Sequence, residues 1–160
     1  MTNQLRVVAA RDEDLKHVAA HLRPEDVGDL RGAGIQDALP HFRSATLTGR
    51  CWAVVPKGNP AVAVGGIVPQ DDGVTGLVWM MGTPDLASYW REFVRRVPAY
   101  LDALHEVRPL LHNLSRKSNS KHRRWLQWAG FTLLPTEKVL PPFNETYQEL
   151  VRIRPCQSQH

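Results

Sequence analysis

Apolar positions along the chain change period several times, and each change marks an element. "LRVVAA" (5–10) is a compact apolar run that predicts a first strand. "RDEDLKHVAAHL" follows with an acidic start and with Leu15, Val18, Ala19 and Leu22 at helical spacing. "RPEDVGDLRGAG" opens on Pro24 and two acids and stops at Gly32 and Gly34, which predicts a second helix. In "IQDALPHFRSATL" a further short helix is interrupted by Pro40, so it is left out of the element order.

From Arg50 the pattern switches to short apolar runs, "CWAVVP", "PAVAVGGIVP" and "GVTGLVWMMG", separated by "KGN" and "QDDG". These predict a three-stranded antiparallel meander, with Asp71 and Asp72 as hairpin residues. "TPDLASYWREFVRRVPAYLDALHEV" begins with Thr83 as N-cap, Pro84 as first helical residue and Asp85 in the first turn. Its apolar stripe includes Leu86, Phe93, Val97 and Leu101, and Pro98 is expected to kink or split it.

"PLLHNL" then predicts a strand, and "SNSKHRRWLQWAG" a helix capped by Asn119 or Ser120 and closed by Gly130. "FTLLPTEKVL" and "TYQELVRI" predict two last strands. The expected order is β-α-α-β-β-β-α-β-α-β-β, with residues 1–154 as one domain and 155–160 as a loose tail.

Composition adds little to this outline. The 160 residues are 42% hydrophobic and 22% charged, which fits a globular chain with a real core. The net charge of +4 allows an acidic partner without demanding one, because only residues 116–124 are locally one-signed. No apolar run suits a signal peptide or a membrane span, so a cytoplasmic protein without membrane partners is expected. Cys51 and Cys156 give neither a disulfide framework nor metal spacing. His17 and His21 lie four apart on one helix face but lack a third ligand, so no metal is expected.

The element order, together with Asn119, then His122, Trp125 and Leu126, then Gly130-Phe131, resembles the GNAT acetyltransferase fold. This implies an α+β architecture, a mixed sheet of about seven strands with helices on both faces. Within that fold, "HVAAHLRPEDVGDLR", "VWMMGTPDL" and "NSKHRRWLQWAGF" resemble the GNAT-like internal virion protein A or head-protein group of short-tailed phages and prophages. That resemblance implies a phage origin, synthesis in the host cytoplasm with packaging in the virion as an extension, and other phage structural proteins as partners.

The fold family holds the coenzyme A diphosphate on backbone N–H groups at the helix start after the fourth strand, with the pattern Gln/Arg-x-x-Gly-x-Gly/Ala. Here that place reads "MMGTPDLAS": Gly82 is the only glycine, Pro84 lacks an N–H, and Asp85 adds a negative charge. Like charges ~4 Å apart at an effective dielectric of about 20 repel by roughly 4 kcal/mol. The family's general-acid tyrosine is matched by Leu126, and the fourth strand carries no acid that could serve as base. Glu25, Asp26 and Asp29 on the second helix are candidates to face a substrate cleft, although acids at a helix start need no function.

Catalytic residues are therefore left unassigned. If acetyl-CoA binds, the resemblance implies contacts from Met81, Gly82, Thr83, Asn119 and Trp125. The basic residues Arg116, Lys117, Lys121, Arg123 and Arg124 form a candidate anion or partner surface. Three classes of function stay open. The first expectation is a virion or assembly component with degenerate catalytic motifs. The others are an acetyl-CoA-dependent N-acetyltransferase with a small-molecule acetyl acceptor, and a nucleic-acid-binding module using residues 116–124.

Overall fold

The computed structural model describes residues 3–155. The expected tail falls outside them apart from Pro155, as does Cys156. Seven strands form one sheet: β1 (Leu5–Ala9), β2 (Arg50–Pro56), β3 (Ala63–Pro69), β4 (Thr75–Gly82), β5 (Leu110–Arg116), β6 (Thr132–Leu140) and β7 (Glu145–Ile153). Their order is β1-β2-β3-β4-β5-β7-β6, and only the β4–β5 pair is parallel. The expected α+β mixed sheet with helices on both faces is the observed architecture.

On one face lie α1 (Asp12–Ala20), α2 (Pro24–Gly32) and α3 (Ala38–Thr48), whose Leu15, Val18, Leu30 and Phe42 pack with Ala53, Val55 and Val64 of the sheet. α4 (Trp90–Leu104) and α5 (Ser120–Trp128) cover the other, with Phe93, Val97, Leu101 and Leu126 against Val54, Ile67, Val78 and Leu111. No helix among the described residues is long and apolar enough to cross a membrane.

Two prolines correct the sequence-based outline. Pro40 does not remove α3, because it is the third residue after the cap Asp37, whose carboxylate accepts from the Leu39 N–H at 3.2 Å. In a first turn the missing N–H has no intrahelical partner to lose. Pro98 does not split α4, which runs unbroken from Trp90 to Leu104. Its ring faces solvent, away from the Phe93–Val97–Leu101 stripe. The break comes earlier, where Pro84–Tyr89 forms a 3-10 helix before α4 begins. Thr83 precedes it with extended backbone but makes no side-chain cap bond.

The other local signals act as read. Asp72 knots the β3–β4 hairpin: its carboxylate accepts from the Val74 and Thr75 N–H groups at 2.8 and 2.7 Å and from the Thr75 hydroxyl at 2.6 Å. These bonds hold the Asp72 carboxyl at about 2, below its ordinary range. Asn119 Oδ1 accepts from the His122 N–H at 3.2 Å and so caps α5, while Gly130 closes it with φ +97.

Phe42 is fully buried on α3 and stacks on Trp79 of β4, with ring centroids 5.3 Å apart. Phe42→Ala is expected to cost about 3–5 kcal/mol in urea unfolding. A loss below about 1 kcal/mol would show that α3 does not anchor this face.

Candidate functional site

The sheet is split at its only parallel pair. β4 and β5 are paired at Thr75–Leu110, Gly76–Leu111 and Leu77–His112, and the ladder ends there. Both strands continue, β4 to Gly82 and β5 to Arg116, and β5 keeps β7 beside it along its whole length. At the point of divergence Asn113 Nδ2 donates to the Val78 carbonyl at 2.7 Å, a side chain replacing the lost ladder bond.

Backbone direction along β4 follows from bonds at its start. The Thr75 carbonyl accepts from Gln70 on the β3 side, and the Val74 carbonyl accepts from Leu110 on the β5 side. In an antiparallel pair both polar groups of a residue turn the same way and alternate along the strand. The even-numbered residues Val78, Met80 and Gly82 therefore present N–H and C=O to the split. Gly82 is engaged by α2: its N–H donates to Asp26 Oδ2 at 2.8 Å and its carbonyl accepts from the Arg23 N–H at 2.9 Å. Met80, between them, faces the open gap with a donor and an acceptor.

A cavity of about 1090 Å³ fills this gap and continues beneath α4. Glu25, Asp26 and Asp29 of α2 line one part, and His122, Trp125 and Leu126 of α5 another. Apolar and aromatic side chains such as Trp52, Phe93 and Val97 line the part below α4. Buried polar atoms without a protein partner include Asn113 Oδ1, Trp79 Nε1, Trp125 Nε1 and the Tyr100 hydroxyl, all on cavity-lining residues.

Burial dominates the electrostatics. It raises the Asp29 carboxyl against the pull of Arg116, whose Nε donates to Asp29 Oδ1 at 3.0 Å. It lowers His122, so that this imidazole is neutral at pH 7 and one ring nitrogen is free to accept a proton. His122 also stacks on Trp125, with centroids 6.4 Å apart.

Of the five residues expected around a bound cofactor, Asn119 and Trp125 line the cavity. Met81 packs with the α1–α3 side of the sheet. Thr83 is buried, with its N–H on the Val62 carbonyl at 2.9 Å. Gly82 N–H is already bonded to Asp26. The expected obstacle, Asp85, is exposed and borders a small separate hollow with Asn59 and Ser88. The carboxylate at the helix start belongs instead to Asp26.

Much of the expected anion surface is spent on the fold. Arg116 pairs with Asp29 and Glu145 at 3.0 and 3.7 Å, and Lys117 with Glu137 at 2.8 Å. Arg123 donates to the Arg116 and Lys117 carbonyls. Among the described residues Lys121 and Arg124 remain exposed and without ion pairs, with Lys121 at the cavity. In the fold the segment 116–124 is thus less one-signed than in the sequence.

Sequence reasoning passed over two cavity residues. Tyr100 and His122 line the gap, and neither is among the site residues expected from the sequence. The apolar stripes of α4 and α5 were visible, but the absence of a sheet strand beneath them was not. No group of three or more potential metal ligands occurs among the described residues. The His21 ring bonds the His17 carbonyl at 2.8 Å, a local helix contact.

No family model matches the sequence, and no curated protein matches it by sequence. Solved structures match nearly the whole chain. The spermidine N-acetyltransferase of Vibrio cholerae in complex with CoA and spermine gives a TM-score of 0.71 at 10% identity, covering 96% of this chain and 97% of that one. A chimera of the Vibrio cholerae enzyme SpeG and hSSAT gives 0.70 at 11% identity, covering 95% and 96%. The dodecameric Vibrio cholerae enzyme in an intermediate state gives 0.65 at 10% identity, covering 96% and 95%. The chain thus has the GNAT acetyltransferase-like fold.

The residues present fit one half of acetyl-CoA. The gap beside Met80 suits an extended arm bearing amides, with Asn113 Oδ1 and Trp125 Nε1 available to it. At the turn after β4 a diphosphate finds few donors, because the N–H groups of Gly82 and Thr83 are taken and Pro84 has none.

His41, His105 and His122 are all lowered from the ordinary 6.5, chiefly by burial. Below that pH the unfolded chain binds protons that the folded chain refuses, so stability falls as pH falls. Urea midpoints should drop between pH 7.5 and 5.5, and His122→Gln should flatten the drop. An unchanged slope in the variant would mean that His122 titrates alike in both states.

Proposed function

We propose that this chain is an N-acyltransferase that acylates a small cationic amine from a thioester donor such as acetyl-CoA. One observation carries the reading: the β4–β5 split opens a strand edge at Met80 directly beside an acidic wall on α2. Asp29, half-buried in the cavity wall with one oxygen on Arg116, would orient an ammonium group, and the exposed Glu25 at the rim would draw it in. His122, which lines the same cavity, would take the proton that the amine must lose before it can attack. The donor supplies an activated acyl carbon. Leu126, buried at the position of the family's tyrosine, has no part in proton transfer.

The amines named with the similar structures, spermidine and spermine, are the first to try. Purified protein is expected to release thiol from acetyl-CoA in their presence, with saturation in amine. Asp29→Asn should raise the amine KM by about tenfold, equal to about 1.4 kcal/mol. His122→Gln should lower kcat by about 10²–10⁴-fold with KM little changed. Equal activity of both variants and the natural protein would remove these assignments.

The occupied N–H of Gly82 favours a second reading, in which the fold is kept for its surface. The protein would then be a phage or prophage GNAT-like component, made in the host cytoplasm and bound to other structural proteins of the particle. Under that reading no amine elicits thiol release, and the chain is recovered in purified particles at fixed stoichiometry.

A further inference from the structure

We infer that the site takes its thioester donor by the pantetheine arm alone, with the Arg23–Asp26 pair standing in the place a nucleotide diphosphate would need; this rests on the acyltransferase reading above. A helix start binds an anion through N–H groups left without partners. Here the groups on either side of Pro84 have partners. Gly82 N–H donates to Asp26 at 2.8 Å, Thr83 N–H to the Val62 carbonyl at 2.9 Å, and Leu86 N–H to the Thr83 carbonyl at 3.1 Å. Pro84 contributes no donor at all.

The nearby cation is equally committed. Arg23 holds Asp26 with two guanidinium bonds, Nε to Oδ2 at 2.8 Å and Nη2 to Oδ1 at 3.1 Å. The Asp26 side chain is only 6% exposed, so its charge is fixed against β4 and is not free to swing away. An incoming diphosphate would meet this carboxylate and would have to displace it from both Arg23 and Gly82. The arm meets the opposite situation. Met80 offers a backbone donor and acceptor to the gap, and Asn113 Oδ1 and Trp125 Nε1 are buried polar atoms still lacking partners. A pantetheine arm carries two amides that can complete such bonds.

The test is calorimetry on the 160-residue chain with acetyl-CoA and with acetyl-pantetheine, which has the arm but no nucleotide. The two dissociation constants are expected within threefold of each other. Asp26→Ala frees both Arg23 and Gly82 N–H, and it should make acetyl-CoA bind at least tenfold tighter than acetyl-pantetheine. Asp26→Asn, which keeps an acceptor for Gly82 N–H, should give an intermediate preference and serves where the alanine variant does not fold. A natural protein that binds acetyl-CoA 30-fold or more tighter than acetyl-pantetheine overturns the inference and leaves the acyltransferase reading standing. Failure to bind either compound at millimolar concentration overturns both.

Discussion

The early end of the β4–β5 ladder is the constraint on which the rest of this structure depends. A strand edge inside a protein leaves a row of polar groups that water cannot easily reach, and each needs a partner. After Leu77 the β4 edge solves this piecemeal: the Asn113 side chain serves Val78, and the start of α2 serves Gly82. Those two contacts hold the gap open at its apex and close it at its end. Met80, between them, is where the strand has backbone groups to offer a ligand. The position of α2 follows from the same need, because the Arg23 N–H and the Asp26 carboxylate clasp Gly82 from both sides of its peptide units.

Burying Asp26 is stable only because its charge is shared. A buried carboxylate deprived of its counterion typically destabilises a protein by about 3–5 kcal/mol, whereas an intact pair contributes little net stability. The Arg23–Asp26 pair is therefore better understood as a device for placement than as a source of stability. Asp29 belongs to a neighbouring network, held by Arg116 and by Asn119 Nδ2 at 3.4 Å. Tyr147 extends it by donating its hydroxyl to the Asp29 carbonyl at 3.3 Å. Thus the start of α2 is tied to β4 and its middle to β5 and β7, on opposite sides of the gap.

Local physics made most of the fold legible in the sequence. Short apolar runs separated by Gly, Asp and Asn define the meander, and Asn119 and Gly130 mark the two ends of α5 by cap chemistry alone. Pro40 misled because a proline's effect depends on its place in a helix, and the split expected at Pro98 falls instead at the 3-10 turn before α4. The candidate site was legible only in part. The acids of α2 and the altered helix start were visible, but the contact between Asp26 and Gly82 spans 56 residues and leaves no local signal. Charge density in residues 116–124 suggested a ligand because the carboxylates that neutralise it, Asp29, Glu137 and Glu145, lie far away in the chain.

The aromatic content has an optical consequence. Four of the five tryptophans, Trp52, Trp79, Trp90 and Trp125, line the cavity, and only Trp128 lies outside its lining. Trp125 sits among Trp90, Phe93 and His122, with an indole N–H that has no protein partner. Indole emission responds to polarity and to hydrogen bonding at that nitrogen, so Trp125 is placed to report on the gap, whereas Trp79 lies against Phe42 on the other face of the sheet. The molecule carries its own reporter of whether that space holds water or a guest.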